Sequence, residues 1–469
     1  YLIVFESRVY SSGSIRRQEL LISLRAKIRS FLREGALYGR LYQHAMERDG
    51  WRTGQLHAYQ RDHLRLILKH AERTVPYYRG LFERLGFRPA DTELPDGMRK
   101  LPHLSKQRLV DAGESLRTRR IRLLRFAGST SGTTGTPVTI FQDLYAICRE
   151  NAFVSRQLNW AGFRRGDRRA WIRGEIIVPV EDDEGPFWRE SRSEKLLMMS
   201  SYHLSEKTAN EYLEALAAYR PALIQAYPSS VAFLARFLES RERYFRSAEL
   251  KSIVTSSESL SAEDRELIED RFRCRVYDWY GAFERVAAIG TCEFGTYHLL
   301  TDYSYCEFEP TDSPKLFEIV GTGFNNFYMP LIRFRTGDLV EFPEDESSCR
   351  CGRAFPVIEK VHGRKDDYIK LSNGRRIGRM DHIFKGLSGI AEAQIVQDEI
   401  DAIKVRLVPL GEFVKGDQQA LMENARKRLG SNIEIELELV DSIARTGNGK
   451  FRSVVCNIYI LTCQRDLSD

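Results

Sequence analysis

The sequence predicts an α/β protein with a large, layered α/β N-terminal domain and a small α+β C-terminal domain. Between about residues 120 and 340, short apolar runs alternate with amphipathic stretches, which is typical of strands and helices in a mostly parallel sheet. Residues 15–85 repeat apolar side chains at steps of three and four, as helices do. Beyond Gly363, four strand-like runs and one helical stretch indicate a smaller unit.

The predicted elements follow in chain order. Pro76 begins a new helix after the first helical stretches. In the core, the predicted strands are R-A-W-I-R, A-L-I-Q-A-Y, S-I-V-T-S and C-R-V-Y-D-W-Y, and the predicted helices include N-E-Y-L-E-A-L-A-A-Y and S-A-E-D-R-E-L-I-E-D-R-F. We expect a loop-rich stretch at 338–363. The large domain is predicted at 1–362, with a helical segment at about 1–90 and a core at about 120–362, and the small domain at 363–469.

Composition restricts the class of function. The chain has 469 residues, of which 42% are hydrophobic and 29% charged, an ordinary globular mixture. The net charge of +6 is spread along the chain, which argues against nucleic-acid binding and suits an anionic ligand. No apolar run approaches the roughly 18–20 residues of a membrane span. The initial Y-L-I-V-F does not make a signal peptide, so we expect a cytoplasmic protein with reduced cysteines.

A run of small polar residues, G-S-T-S-G-T-T-G-T-P at 128–137, lies between the strand-like runs I-R-L-L-R-F-A and V-T-I-F. Glycines let the backbone approach a ligand, and free N–H groups and hydroxyls suit phosphate oxygens. It is not the usual nucleotide-triphosphatase loop, since no Gly-Lys-Ser/Thr follows. Taken alone, the run fits a flexible linker and a phosphate cradle equally well, although the tight bracketing by strands favours the cradle. The cradle residues would be Ser129, Thr130, Ser131, Gly132, Thr133, Thr134 and Gly135.

Four later stretches decide between these interpretations. They are W-Y-G-A-F-E at 279–284, R-F-R-T-G-D at 333–338, G-R-K-D-D-Y-I-K at 363–370 and R-T-G-N-G-K-F-R at 445–452. In this order and at these separations, the set resembles the adenylate-forming superfamily of acyl-CoA synthetases, adenylation domains and luciferases, over roughly residues 55–460. The stretches H-A-E-R-T-V-P-Y-Y-R-G-L-F, L-P-H-L-S-K-Q-R-L and N-G-R-R-I-G are most similar to the phenylacetate–CoA ligase and CapK-type branch.

The resemblance implies a two-step reaction. A carboxylate attacks the α-phosphate of Mg·ATP to give an acyl-adenylate and pyrophosphate, and a thiol or amine then takes the acyl group. The cradle would hold the β- and γ-phosphates, although Thr136 and Val138 stand where the family often has a lysine. Glu284 would bind Mg²⁺, and Phe283 before it replaces the usual small hydroxyl residue.

The other family positions imply contacts with the nucleotide. Tyr280 would stack on adenine, Gly281 would let the backbone pass the ligand, and Ser257 and Glu258 would line the adenine and α-phosphate side. Asp338 would accept both ribose hydroxyls, which suits an ionised carboxylate.

The remaining family positions concern the small domain. Arg364 would lie near the ribose or phosphates, and Asp366 would be the hinge about which the small domain rotates. Lys450 would enter the site and reach the carboxylate and the α-phosphate as charge develops there. The family prolines before it are replaced by I-A-R.

A metal site is the second prediction from the residues. Cys292 and His298 lie in T-C-E-F-G-T-Y-H, and Cys349 and Cys351 lie in S-S-C-R-C-G-R. Three thiolates and one imidazole suit a tetrahedral structural zinc ion. The halves are far apart in sequence, so the residues alone also allow reduced thiols without a metal. Similar ligase branches carry a C-x-C-G with an upstream cysteine and histidine, which favours structural zinc that pins the loop before the hinge.

The predicted function is therefore ATP-dependent activation of a carboxylic acid, which the branch suggests is an aryl or small acid. The acceptor is open between CoA, a carrier protein and an amine. Trp171, Arg173, Tyr227 and Phe283 are candidates for the acyl pocket. The alternative is a non-catalytic adenylate-binding or assembly protein on the same fold, against which the presence of Glu284, Asp338 and Lys450 argues. The sequence does not indicate the oligomeric state.

Overall fold

The computed structural model describes residues 35–91, 93–120, 125–130, 138–179, 182–345, 348–364, 369–372, 376–377, 380–384, 387, 390–410, 415–429, 433–446 and 449–458. The helices are α1 (Ala36–Glu47), α2 (Thr53–Thr74), α3 (Pro76–Leu85), α4 (Lys106–Ala112), α5 (Leu144–Trp160), α6 (Ala209–Tyr219), α7 (Pro228–Glu239), α8 (Ala262–Phe272) and α9 (Lys415–Leu429). Short 3₁₀ turns occur at Arg48–Gly50, Asp96–Lys100, Gly113–Leu116, Arg192–Glu194 and Met380–Ile383. None of the helices in this described part of the chain is both long enough and apolar enough to cross a membrane.

Within the described ranges, the strands form five sheets. In chain order they are β1 (Arg125–Thr130), β2 (Val138–Asp143), β3 (Arg169–Arg173), β4 (Trp188–Ser191), β5 (Leu196–Ser200), β6 (Leu223–Ala226), β7 (Ser252–Ser256), β8 (Arg275–Gly281), β9 (Ala288–Thr291), β10 (Tyr297–Leu299), β11 (Ser304–Pro310), β12 (Leu316–Gly323), β13 (Phe334–Glu341), β14 (Val357–Ile358), β15 (Lys360–Arg364), β16 (Ile369–Lys370), β17 (Arg376–Ile377), β18 (Ile390–Gln397), β19 (Ala402–Pro409), β20 (Glu434–Leu439) and β21 (Val454–Cys456). The predicted α/β class is confirmed.

The largest sheet has nine strands in the order β14-β10-β9-β8-β7-β6-β3-β5-β4. Its middle, β5-β3-β6-β7-β8, is parallel, whereas β9, β10, β14 and β4 are antiparallel to their neighbours. Helices α6, α7 and α8 connect successive parallel strands, as crossover connections require. The strand and helix runs predicted for this core are found in these elements. Pro76 also begins α3, as predicted, because its missing N–H costs nothing in the first turn.

A second, antiparallel sheet follows, in the order β11-β12-β13-β15. The sequence analysis did not predict this sheet, and part of it lies in the stretch expected to be loop-rich. β13 extends to Glu341 and pairs with β15, which ends at Arg364. The domain boundary predicted at residue 363 therefore lies within β15. The alternation in S-Y-C-E-F-E-P was the available signal, because a sheet with one covered face alternates apolar and polar residues.

The described residues between 369 and 458 form what we call the C-terminal unit. Its main sheet has the order β20-β19-β18-β21, and α9 packs beside it around a core that includes Ile395, Val405 and Leu421. All four strand-like runs and the helix predicted here are present. A second group of its apolar residues, Ala391, Val408 and Ile443, instead joins the core formed by α6–α8 of the large sheet. We call this shared apolar contact the seam.

A buried charge cluster fixes α1 and its following turn to the core. Both oxygens of Asp302 accept hydrogen bonds from Arg156 on α5, at 2.8 and 3.0 Å, and Arg48 donates to the same carboxylate at 2.7 Å. Arg156 also donates to the backbone oxygen of Ala45 at the end of α1. Burial alone would raise the pKa of Asp302, but the two guanidinium groups lower it below its usual value.

Candidate functional site

The parallel strands end in register at one edge of the large sheet. Ile172, Ala226, Thr255 and Asp278 form one row across β3, β6, β7 and β8. The residues that follow them emerge side by side at what we call the carboxyl edge, where open α/β sheets bind ligands. Ser257 has a positive φ of 75°, a conformation that is costly for a residue with a Cβ and is concentrated at functional sites.

Three predicted acyl-pocket residues lie on the strands of this edge or directly after them. Arg173 donates to the Ser256 hydroxyl, which links the ends of β3 and β7. Trp171, two residues earlier on β3, donates a hydrogen bond from its indole Nε1 to Gln225 at 2.7 Å. Tyr227 follows β6 and is buried. The edge is therefore lined by large aromatic and guanidinium side chains.

Tyr280 and Asp338 are brought together from β8 and β13. The Tyr280 hydroxyl donates to Oδ2 of Asp338 at 2.7 Å, and burial and this carboxylate raise the pKa of Tyr280 well above its usual value. Gly337 has a φ of +75°, and the backbone N–H of Asp338 donates to Thr336. The two residues to which the resemblance assigns adenine and ribose contacts thus share one hydrogen bond.

Arg364 lies opposite Asp338 in the register of β13 and β15, although only its backbone is described. Asp366, the predicted hinge, lies outside the described residues. The resemblance assigned Arg364 to the ribose or phosphates, and its backbone is at the matching position beside the predicted ribose carboxylate.

Glu284 lies in the turn between β8 and β9, partly buried. Arg285, which follows it, has a φ of +62° and forms a buried ion pair with Glu150 of α5 at 2.6 Å. The Tyr303 hydroxyl donates to the other oxygen of Glu150 at 2.5 Å. This turn is therefore held by a buried charge pair directly beside the predicted magnesium ligand.

The β1–β2 hairpin contacts the same turn. Its register pairs Ser129 with Thr139, and a Cβ added to Gly128 would lie 2.3 Å from the Phe283 ring. The hairpin can pack this closely only because residue 128 is glycine.

The cradle itself is described only in part. The structure gives the backbone of Ser129 and Thr130, at the end of β1. Ser131, Gly132, Thr133, Thr134 and Gly135 lie outside the described residues.

Lys450 lies on a segment of the C-terminal unit that reaches the carboxyl edge. We call residues 445–452 the tip, of which 447 and 448 are outside the described residues. The backbone N–H of Phe451 donates to Oε1 of Glu258, just after β7, at 2.6 Å. A Cβ on Gly449 would lie 2.3 Å from Cα of Gly174, just after β3. The residues on both sides of Lys450 therefore contact the large sheet at its carboxyl edge.

A Cys/His cluster lies at the other side of the large sheet, near β9, β10 and β14. The ligand atoms of Cys292, His298, Cys349 and Cys351 all lie within 4.8 Å of one another. The sulfurs of Cys292 and Cys349 are 3.6 Å apart, and His298 Nε2 is 3.4 Å from the Cys351 sulfur. The structure thus brings together the four residues that the sequence analysis grouped.

The donor geometry of this cluster fits a tetrahedral metal. Zn–S bonds of about 2.3 Å imply sulfur–sulfur separations of roughly 3.8 Å, close to the observed spacing. His298 Nδ1 lies 3.0 Å from the backbone oxygen of Phe355, which can only accept, so Nδ1 carries the proton and Nε2 presents its lone pair. Burial opposes ionisation of the Cys349 thiol, but hydrogen bonds from Thr296 and from the Cys351 backbone N–H lower its pKa to about 6.

The sequence is similar to one family model and to curated proteins of two kinds. The family model of the CapK C-terminal domain matches residues 370–457. Protein CapK of Staphylococcus aureus is 23% identical over 457 residues, which cover 96% of this chain and 99% of CapK. The phenylacetate–coenzyme A ligase of Pseudomonas putida is 26% identical over 330 residues, which cover 67% of this chain and 72% of the ligase. These relatives confirm the predicted resemblance to the adenylate-forming superfamily, in the branch of CapK and the phenylacetate–CoA ligases.

A solved structure of the superfamily shares the fold. The 2-hydroxyisobutyryl-CoA ligase, crystallised in its postadenylation state with an acyl-AMP, matches with a TM-score of 0.67 at 19% identity, over 87% of this chain and 91% of the ligase. The same ligase with 2-HIB-AMP and CoA, in its thioesterification state, gives a TM-score of 0.53. The described chain therefore superimposes better on the former of these two structures.

Several contacts at the site were not predicted from the sequence. The ion pair of Glu150 with Arg285, the approach of Gly128 to Phe283 and the docking of Gly449 on Gly174 each join segments far apart in the chain. Glycine within a motif was the available signal for the last two, because it leaves room for another group to approach the backbone closely. No signal in the sequence singles out Glu150.

Proposed function

We propose that this protein activates a carboxylic acid with Mg·ATP to give an acyl-adenylate and pyrophosphate, and then transfers the acyl group to a thiol or amine. CoA is the acceptor we expect, since the phenylacetate–coenzyme A ligases and the 2-hydroxyisobutyryl-CoA ligase are named for it. An aryl or small acid is the substrate class we propose from the same branch.

The contact of the tip with the carboxyl edge carries this proposal. Lys450 lies between Gly449, which touches Gly174, and Phe451, which is bonded to Glu258. An ammonium group at this place can stabilise the negative charge that develops when a carboxylate attacks the α-phosphate. In this proposal Lys450 is the catalytic residue of the first step, and the C-terminal unit is a mobile lid that carries it there.

The nucleotide would lie along the same edge. Tyr280 and Asp338, already joined by a hydrogen bond, would contact adenine and the ribose hydroxyls. Glu284 would bind the Mg²⁺ that bridges phosphate oxygens, and the cradle at 129–135 would hold the β- and γ-phosphates. Ser257, Glu258, Gly281 and Arg364 complete the proposed binding set.

We also propose that Cys292, His298, Cys349 and Cys351 hold a structural zinc ion. Four protein donors close the coordination shell, so this metal would have no open position for catalysis. It would supply cohesion between the β9–β10 hairpin and the segment before β14.

A panel of carboxylic acids tests the function. Each acid is incubated with the full chain and Mg·ATP, with and without CoA, and pyrophosphate release is measured. We expect acid-dependent release with aryl or small acids, and formation of an acyl-CoA when CoA is present. Binding of ATP without release for any acid of the panel would favour the non-catalytic alternative instead. Release that CoA does not accelerate would point to a carrier protein or an amine as acceptor.

A further inference from the structure

Glu258 connects the two parts of the molecule at the site. Its Oε2 accepts a hydrogen bond from the backbone N–H of Ser229, in the first turn of α7, at 3.1 Å. Its Oε1 accepts the 2.6 Å hydrogen bond from the backbone N–H of Phe451. One carboxylate thus links the start of a large-domain helix to the residue directly after Lys450.

We propose that Glu258 is a positioning residue, which fixes the backbone of the tip so that the Lys450 ammonium reaches the acid and the α-phosphate during adenylation. This inference rests on the proposed function, and it assigns Glu258 a task besides the nucleotide contact implied by the resemblance.

The chemistry of the two bonds supports this role. Both donors are backbone N–H groups, and a charged acceptor makes such bonds about twice as strong as a neutral one. The positive end of the α7 dipole further favours an anion beside Ser229. Burial raises the pKa of Glu258, so the carboxylate depends on these donors to stay ionised.

The surroundings of Phe451 restrict the tip from its other side. The Arg445 guanidinium lies 5.0 Å from the centre of the Phe451 ring and forms an ion pair with Glu392 of β18. The backbone oxygen of Arg452 accepts a hydrogen bond from Gln394 of the same strand at 2.8 Å. Arg445 and Arg452 are therefore attached to β18 of their own unit, and Glu258 bonds the tip to the large sheet on its other side.

Glu258→Ala tests the contact without any substrate. Hydrogen–deuterium exchange of the full chain should show faster deuterium uptake in peptides covering residues 449–452. Glu266→Gln, on an exposed side chain of α8, is the matched control and should leave this uptake unchanged. If Glu258 only caps α7, uptake will rise at 229–233 alone, and the proposal is wrong.

The effect on adenylation is measured by ATP–pyrophosphate exchange, with the acid that gives the strongest signal in the panel. We expect kcat for Glu258→Ala to fall by on the order of 10- to 100-fold, as for loss of a charged hydrogen bond. A fall in kcat that exceeds any rise in the KM for ATP indicates positioning of Lys450, whereas a change in KM alone indicates a nucleotide contact only and contradicts the proposal.

Two further variants separate the possible failures. Gly449→Ala places a Cβ against Gly174, so it should move the tip away from the large sheet. We expect this variant, which retains Glu258, to show the same faster deuterium uptake and the same lower kcat as Glu258→Ala. It also serves as the test if Glu258→Ala does not fold. Lys450→Ala should lower ATP–pyrophosphate exchange by on the order of 10² or more without changing the deuterium uptake of the tip. Normal ATP–pyrophosphate exchange in Lys450→Ala would refute the proposed function. If Lys450→Ala loses this activity while Glu258→Ala and Gly449→Ala both keep it, only the role of Glu258 is refuted.

Discussion

At the scale of single residues, the site combines charges that are held by backbone geometry. Glu284 follows Phe283 in a turn fixed by the Arg285–Glu150 ion pair, and Lys450 follows a glycine with a φ of +67°. In both cases the neighbouring residue, Arg285 or Gly449, makes a packing contact that fixes the backbone next to the proposed functional side chain. The placement of the charge therefore depends on neighbours that carry no chemistry themselves.

Replacing Lys450 by alanine should lower the rate of adenylation by on the order of 10² or more, because a preorganised charge at the transition state contributes about 3 kcal/mol. ATP should still bind, since the proposed adenine and ribose contacts remain. Pyrophosphate exchange gives the rate and equilibrium titration gives the affinity. Unchanged exchange in the variant would show that the assigned role is wrong.

Replacing Glu284 by glutamine should raise the Mg²⁺ concentration needed for half-maximal activity, because an amide oxygen is a weaker ligand for a hard cation than a carboxylate. A magnesium titration of pyrophosphate release measures this. Glu359→Gln is the control, because Glu359 is exposed and lies away from the turn. A superimposable titration curve for Glu284→Gln would overturn the assignment.

At the scale of elements, the hairpin of β1 and β2 and the turn after β8 are fitted to each other. Gly128 leaves room for the Phe283 ring, and Asn326 donates to the backbone oxygen of Phe141 on β2 at 2.8 Å. A displacement of the hairpin is thus transmitted to the residue beside Glu284.

Gly128→Ala should destabilise the protein by roughly 1–3 kcal/mol, as overpacking does, and Phe283→Ala in the same chain should relieve part of that loss. A double-mutant cycle of unfolding free energies measures the coupling. Gly39→Ala is the control, because a Cβ there meets no atom within 4 Å and lies on α1, where alanine is favoured. Additive effects of Gly128→Ala and Phe283→Ala would contradict the contact.

The Cys/His cluster connects the β9–β10 hairpin to the segment before β14. Protein purified without chelator should contain about one zinc per chain, because three thiolates and an imidazole complete a tetrahedral shell. Elemental analysis measures this, and Cys349→Ser should lose the metal and lower the melting temperature. Cys274→Ser, outside the cluster, should retain the metal. Fully folded, metal-free wild-type protein would refute the site.

At the scale of the whole molecule, the N-terminal helices depend on the buried Asp302 cluster. Asp302→Asn should cost about 3–5 kcal/mol, because it leaves Arg48 buried without its counter-ion and Arg156 with only Asp49, 3.5 Å away. The folded pKa of Asp302 lies below its usual 3.8, so its contribution to stability is complete above that pH and is lost as pH falls below it.

Acid unfolding curves of the wild type and Asp302→Asn measure this contribution. The difference between the two free energies of unfolding should be constant near neutral pH and shrink below about pH 4. Asp345→Asn, at an exposed loop, is the control and should follow the wild type. A difference that grows on acidification would contradict the sign of the shift.

The sequence predicted the parallel core because β3, β6, β7 and β8 are buried apolar runs between amphipathic helices, a local pattern. It grouped Tyr280 and Asp338 because both lie in short motifs, and the structure joins the two by a hydrogen bond, while their nucleotide contacts stay predictions. The antiparallel sheet was missed, since β12 ends in a continuous buried run without alternation. The bond between Glu258 and Phe451 was also missed, because it depends on how two units pack and not on any local pattern.

The seam sets a condition on the proposed rotation of the lid. Val408 and Ile443 are buried against the large domain in the described arrangement. Burying an aliphatic side chain away from water stabilises a structure by roughly 1.5–3 kcal/mol. An orientation of the lid that exposed both side chains to water would therefore be populated below about 1%. In the proposed cycle, the orientation that serves acyl transfer would therefore need another apolar surface over these two side chains.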